Sequence, residues 1–385
     1  MATANDKIDD FGKLIEQAAA SLKLSPKLLR RTRALLGTPG VQGYVPACDM
    51  EARSVATEAM VDVLSAAFKA APLGRRYYWL TFAPDCGNTL DRRPVVNRKK
   101  LKRLIDKAVR KLMLDGVAAL EFQAITNYPR QGLGRAINFH GHMFAWTDDP
   151  NFDPATAQHA LNESRAWTSA LTVLPVKIDP VVHALADIRR LAAYMLKLPY
   201  EAKTLKPSRE HPGRNVLVSR LNGYRPELAL RLMEGLSQIK LTDLVFGVAS
   251  GTCMVSAWRR DLRNALDVAR RDRKLAKPFN VARHWRRVND RRRSDNYAPY
   301  EFRDDGARPP LLPFIVSTST RRAWPSLDNM ARSRPHKAGR PPSGPTSRHF
   351  SPGFIKRWQE RGKRVQEALR KVSTASGNHQ LDGGI

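Results

Sequence analysis

The sequence predicts an α+β protein: an antiparallel sheet domain flanked by helical segments, with a basic tail. Three observations carry this expectation. Short apolar and aromatic runs bounded by turn residues lie between residues 76 and 178. Apolar stripes at helical spacing lie on both sides of them, and a stretch rich in Pro, Ser, Gly and Arg fills roughly residues 303–353.

Residues 1–70 read as helical. Phe11, Leu14, Ile15, Ala18 and Leu22 recur at helical spacing, Ser25-Pro26 offers a cap and a first-turn proline, and Gly37 offers a stop. The short helix between them carries Lys27, Arg30, Arg31 and Arg33, and a third stripe follows at Val61, Leu64 and Phe68. The sheet domain is expected over 71–224. RYYWLTF (76–82), aromatic and bounded by Pro84, Asp85 and Gly87, is its first strand. RKKLKRLIDKAVRKLML (98–114) places Leu101, Leu104, Ile105, Ala108 and Leu112 on one helical face and ends at Gly116. VAALEFQAI (117–125) and AINFHGHMFAW (136–146) are two strands joined by the turn NYPRQGLGR (127–135).

Asp153-Pro154 starts a helix that is expected to reach about Ala170. LTVLPVKI (171–178) is a fourth strand, placed at an edge because Pro175 has no N–H to donate, and a helix follows from about Pro180 to Lys197. The order β-α-β-β-α-β plus a helix is the split βαβ, ferredoxin-like plan, with one antiparallel sheet face expected to be free for a ligand. Residues 225–302 read as a basic helical region with a stripe at Trp258, Leu262, Ala265, Leu266 and Ala269, followed by HWRRVNDRRR (284–293). Residues 303–385 read as a disordered tail with a terminal helix at Ile355, Trp358, Val365, Leu369 and Val372.

Charge narrows the partner. Lys and Arg number 66 against 36 acids, a net charge of +30. Such a surface attracts polyanions and gains affinity by releasing their counterions, so nucleic acid is the expected partner. The expected contacts are Arg259, Arg260, Arg286, Arg287, Arg291, Arg292 and Arg293, with Tyr78 and Thr81 on the first strand. Cys48, Cys86 and Cys253 form no CxxC pair, which argues against a disulfide framework and a thiolate zinc site. MATANDKIDD has no apolar signal core, and no stretch approaches the ~18 apolar residues of a membrane span. A reducing bacterial cytoplasm, with no membrane partner, is the expected setting.

The chemistry centres on five residues. His140 and His142 are two apart on an expected strand, so both imidazoles face one way, a ready half-site for a divalent metal. A hairpin turn centred between Arg130 and Gln131 puts Glu121 opposite His140, on the same face. Tyr194 and Lys197 are three apart on the last expected helix of the sheet domain, where a cation favours the phenolate and offsets phosphate charge. A His-x-His on a strand is more often incidental, and a tyrosine at a helix edge is more often packing. Together, in this order, the signals weigh more than any one of them.

The chain resembles the HUH endonuclease superfamily, specifically the replication initiators of rolling-circle plasmids and phages. WLTFAP (79–84) resembles that family's first motif, FHGHMF (139–144) its metal-binding histidine pair, and YMLK (194–197) its nucleophilic tyrosine with a lysine one turn on. The resemblance covers roughly residues 76–200. Gly141 departs from the pattern, since that position is usually bulky and apolar.

The resemblance implies Mg²⁺ or Mn²⁺ on His140 and His142, with Glu121 as a third ligand, polarising a phosphate oxygen. Tyr194 would displace the 3′ oxygen, giving a 5′-phosphotyrosine link and a free 3′-OH that primes synthesis, with Lys197 stabilising the charge. It implies origin DNA, single-stranded or hairpin, as partner, with host replication helicase and polymerase alongside. Tyr200 is a second candidate nucleophile, but it lies about 240° around the helix from Tyr194 and beyond Pro199, so a single active tyrosine is expected. Two alternatives stand beside this reading. One is a single-strand transposase of the same chemistry. The other is a non-catalytic nucleic-acid-binding protein that stacks bases on Tyr77, Tyr78, Trp79 and Phe82 of an RNA-recognition-like sheet.

Overall fold

The helical periodicity at the start of the chain is realised as α1 (Ala4–Ser21), α2 (Pro26–Gly37) and α3 (Met50–Lys69). The structure is a computed structural model that describes residues 4–37, 44–92, 94–128, 134–169, 174–197, 202–207, 209, 215–219, 225–271, 280–292 and 298–302. Two compact units divide the chain: Asp10–Val316, which holds the elements below, and a second made of Met1–Asp9 with Ser317–Ile385. The expectations for the tail, for Arg293 and for Tyr200 fall outside the described residues. Asp49 caps α3, its side chain accepting from the Ala52 amide at 2.9 Å.

The next elements follow the expected alternation: β1 (Arg76–Phe82), the short β2 (Asn88–Leu90) and β3 (Val95–Val96), α4 (Arg98–Lys111), β4 (Asp115–Tyr128), β5 (Gly134–Thr147), α5 (Pro154–Asn162), β6 (Val176–Pro180) and α6 (Ala184–Leu196). Several element ends differ from expectation: β6 starts at Val176, just past Pro175, and runs through Pro180, so α6 starts at Ala184 rather than near Pro180. α4 closes at Lys111, because Met113 takes the left-handed turn at φ 54° and the Leu114 amide returns to the Val109 carbonyl. Gly116, expected as the stop, lies inside β4 instead. α5 stops at Asn162, well short of Ala170, and Trp167 then packs its buried ring on Phe82 at 5.3 Å.

Beyond α6 the chain adds β7 (Lys203–Pro207), β8 (Asn215–Ser219), α7 (Pro226–Ser237), α8 (Leu241–Leu244), β9 (Val245–Val248), α9 (Gly251–Arg271), α10 (Val281–Asn289) and β10 (Glu301–Phe302). β2, β3, β7, β8, β9 and β10 were not expected from the sequence. The result is a mixed α+β fold around an antiparallel-rich sheet of eight strands, ordered β6-β1-β5-β4-β7-β8, with β2 on β5 and β9 on β4. The pairs β6-β1, β1-β5 and β5-β4 are antiparallel, β4 and β7 pair in parallel, and β6 lies at the edge of the row. No helix among the described residues is long and apolar enough to cross a membrane.

Both sheet faces carry helices, so the expectation of one free face is corrected. Alternation puts His140, His142, Phe144 and Trp146 of β5 on one face with Val117, Ala119 and Glu121 of β4 and with Tyr77, Trp79 and Thr81 of β1. Phe144, Trp146, Val117 and Ala119 are apolar and need cover. Met60 and Leu64 of α3, Ile188 and Leu191 of α6, and Trp258 and Leu262 of α9 supply it in a single cluster. The fully buried Trp258 also donates its indole N–H to the Ala56 carbonyl at 2.8 Å, tying α9 to α3. On the opposite face α4 sits close. A Cβ at Gly141 would lie 2.6 Å from Cδ1 of Ile105, so the small residue between the two histidines lets α4 approach the sheet.

A buried ion network anchors the C-terminal helices. Glu234 of α7, fully buried, accepts from Arg231 at 2.6 Å and Arg292 at 2.9 Å, while Asn289 donates to its other oxygen at 2.9 Å. Removing Glu234 leaves the buried charges of Arg231, which keeps Asp91 at 3.8 Å, and Arg292 less well compensated. Glu234→Gln is expected to destabilise the fold by about 3–5 kcal/mol. Urea unfolding measures this, and a loss below about 1 kcal/mol, the range of exposed pairs, would contradict it.

Candidate metal centre

β4 and β5 pair in the register that places Glu121 opposite His140, and β1 brings Thr81 opposite His142. Strand alternation therefore points Glu121, His140, His142, Thr81 and Trp79 to one face. Glu121, His140 and His142 are all buried, with their candidate ligand atoms within 4.8 Å of one another. The two Nε2 atoms stand 3.1 Å apart and lie 3.8 Å (His140) and 3.5 Å (His142) from Oε2 of Glu121. This group can hold a metal ion.

The electrostatics suit that use. Burial pushes the Glu121 carboxyl upward, but Lys197 and the two imidazoles override it and hold it at about 2. Burial, aided by the neighbouring His142 and Lys197, lowers His140 to about 4, so its imidazole is neutral and able to coordinate at neutral pH. Neither carboxylate oxygen of Glu121 has a hydrogen-bond partner among the described residues. A buried carboxylate facing two imidazole nitrogens, the nearer at 3.5 Å, fits a divalent cation. Orientation comes from the far ring nitrogens: Nδ1 of His142 is 3.2 Å from Oγ1 of Thr81, and Nδ1 of His140 is 3.4 Å from the Asn138 carbonyl.

α6 brings the tyrosine and lysine to this group. Tyr194 is 41 % exposed, yet its ring meets His142 edge-on at 4.9 Å between centroids and Trp79 at 5.7 Å. Lys197 lies just beyond the helix as its C-cap, in extended geometry. Its Nζ sits 3.5 Å over the face of the Tyr194 ring and 3.7 Å from Oε1 of Glu121. The expected turn of helix joining the two is thus replaced by a cap, and the cation lies over the ring.

Two neighbours of the site were not placed there from the sequence: Trp79, expected only as a base-stacking aromatic and as part of the first motif, and Arg53. Trp79 stacks on His142, centroids 5.5 Å apart and planes 13° apart. Its place two residues before Thr81 on the same strand face was the available signal. Arg53, buried on α3, donates from Nη1 to the carbonyls of Leu196 at 2.7 Å and Lys197 at 2.8 Å. It satisfies the end of α6 and fixes the backbone that carries Lys197. Nothing in the local sequence announces it beyond a cation amid small residues.

The other expected contacts separate. Tyr78 lies on the opposite sheet face, buried against Phe152 at 5.0 Å, and Thr81 orients His142. Arg259 caps α8 and β9 by donating to the carbonyls of Thr242 and Val245, both at 3.1 Å, and Arg292 is buried on Glu234. Arg260 is exposed beside Asp261, while Arg286, Arg287 and Arg291 are exposed on and just after α10. Burial and internal pairing therefore take Tyr78 and Arg292 out of the set available to a ligand. Comparison of the chain with protein-family models, curated proteins and solved structures gives no match.

Loss of the orienting hydroxyl should be felt by the metal. Thr81→Val is expected to weaken Mn²⁺ binding about 10–100-fold. His140→Ala/His142→Ala should abolish it. Isothermal titration with Mn²⁺ measures both, and unchanged affinity in the double variant would place the ion elsewhere.

Proposed function

We propose that the chain is a metal-dependent DNA strand transferase of the HUH type, a rolling-circle replication initiator that nicks and rejoins single-stranded origin DNA. The observation that carries the reading is the position of Tyr194. Its ring is an exposed nucleophile-bearing group packed directly on a buried Glu/His/His cluster, with a lysine over its face. The row β6-β1-β5-β4, antiparallel throughout, supports a split βαβ, ferredoxin-like reading of the nuclease domain. Base stacking on an open sheet has less support, because Tyr78 is buried, Tyr77 stacks on Phe144 and Trp79 stacks on His142.

Each side chain has a part in this chemistry. Glu121, His140 and His142 would hold the ion, and two imidazoles beside one carboxylate favour Mn²⁺ over the harder Mg²⁺. When bound, the ion supplies Lewis-acid polarisation of the scissile phosphodiester. The phenolic oxygen of Tyr194 forms a bond to phosphorus as the bond to the 3′ oxygen breaks. The phenolic proton leaves to solvent, and the 3′ oxygen takes up a proton to become a free hydroxyl. Lys197 places positive charge beside the phenolate and the phosphate as negative charge builds there. Arg53 holds the end of α6 so that this geometry is set before DNA arrives. One phosphoester replaces another, so rejoining is the same exchange in reverse and needs no nucleotide hydrolysis.

A denaturing gel with labelled single-stranded oligonucleotides and Mn²⁺ tests the proposal. A covalent protein–DNA adduct is expected for the wild type, and none with chelator or with His140→Ala/His142→Ala. Absence of any wild-type adduct across random-sequence oligonucleotides would refute strand transfer.

A further inference from the structure

α2 and α10 lie far apart in sequence but pack side by side. Oγ1 of Thr32 on α2 is 3.0 Å from Nε2 of His284 on α10. α10 buries His284, Trp285 and Val288, and the Trp285 indole donates to Ser237 at 2.6 Å, so the helix is fixed to α7. That leaves Arg283, Arg286 and Arg287 on its exposed side. α2 buries Thr32 and Leu35 and presents Lys27 and Arg30 outward. Between the helices runs a groove of about 530 Å³ lined by Ser25, Lys27, Leu28, Arg31, Arg287, Asp290 and Arg291. Four of those residues are cations and one is an acid.

The field of this groove reaches inward. Burial, with Arg31 and Arg287 next, lowers His284 to about 4. The first turn of α2, opened by Ser25 accepting from the Leu28 amide at 3.4 Å, faces the same groove and adds the positive end of a helix. Leu28 is the one apolar side chain in the lining. A protein partner would use buried aromatic or aliphatic anchors, and a membrane surface would use an apolar face. A groove walled by cations on two rigid helices suits a run of phosphates.

We propose that the α2–α10 groove is a DNA-backbone site that grips the strand flanking the phosphate to be cut. It shares no residue with the Glu121–His140–His142 centre. The partner's identity rests on the strand-transferase reading. The groove also joins α2 and the end of α10 in one surface, which gives the basic helix α2 a role.

The test uses the full chain and a labelled single-stranded oligonucleotide long enough to extend past the cut site. Fluorescence anisotropy across a salt series compares wild type with Lys27→Gln/Arg287→Gln/Arg291→Gln. Three lost phosphate contacts should flatten the slope of log affinity against log salt by roughly 2 and weaken binding on the order of tenfold at low salt. Lys27→Arg/Arg287→Lys/Arg291→Lys should keep the wild-type slope, and the single Arg287→Gln should flatten it by about 0.7, which covers the case of a poorly folded triple variant. An unchanged slope overturns the groove. So does loss of binding to phosphatidylserine vesicles with DNA affinity intact, which would make the groove a lipid site. If the slope flattens but the wild type forms no adduct, strand transfer falls and the groove stands. If the adduct forms and the slope does not move, the groove falls and strand transfer stands.

Discussion

A carboxylate buried between two imidazoles sets the terms for this site. Glu121 is 4 % exposed and its oxygens lack hydrogen bonds among the described residues. A charge so placed is costly unless opposite charge surrounds it. Lys197 supplies one such charge at 3.7 Å, and a divalent ion on Glu121, His140 and His142 would supply the rest. The register of β4 on β5 makes the meeting possible, since a slip of one residue would send Glu121 to the opposite face.

The remainder of the fold reads as support for that register and for the end of α6. Gly141 lets α4 close on the far side of the histidine strand. α3 contributes twice, packing Met60 and Leu64 on the sheet and sending Arg53 to the last carbonyls of α6. Lys197 thus keeps its place through a backbone fixed by a different helix. Trp79 and His142 stack and Tyr194 closes over both edge-on, so the aromatic side chains at the mouth restrict one another. The proposed nucleophile is consequently held by ring packing and by the Lys197 ammonium over its face.

Much of this was legible in the sequence where the signal was local. β1 follows from one aromatic run, and the His-x-His pair shares a face because strands alternate. Glu121 followed from counting back across a hairpin, which works when the strands pair without slip as far as the residues in question. What escaped notice depended on long-range partners. β9 is four residues, too short for periodicity to separate strand from helix, and it exists because β4 offers an open edge. Arg292 sits in a run of arginines that reads as solvent-facing, but Glu234 lies 58 positions away and draws it inside. Tyr78 differs from Tyr77 by one residue and hence by the sheet face it occupies, and the packing of Phe152 decides its role. Lys197 was expected on a helix; it is a cap whose side chain folds back over Tyr194, a geometry that depends on Arg53.

The proposed strand transfer requires the Glu121–His140–His142 cluster and Tyr194 to act as a single reaction centre. Peptide mapping by mass spectrometry, after Mn²⁺-dependent reaction with single-stranded DNA and nuclease trimming, tests it most directly. Nucleotide mass is expected on the peptide containing Tyr194, and none on that peptide in Tyr194→Phe. Nucleotide attached to Tyr200 or to any other residue, with Tyr194 unmodified, would contradict it.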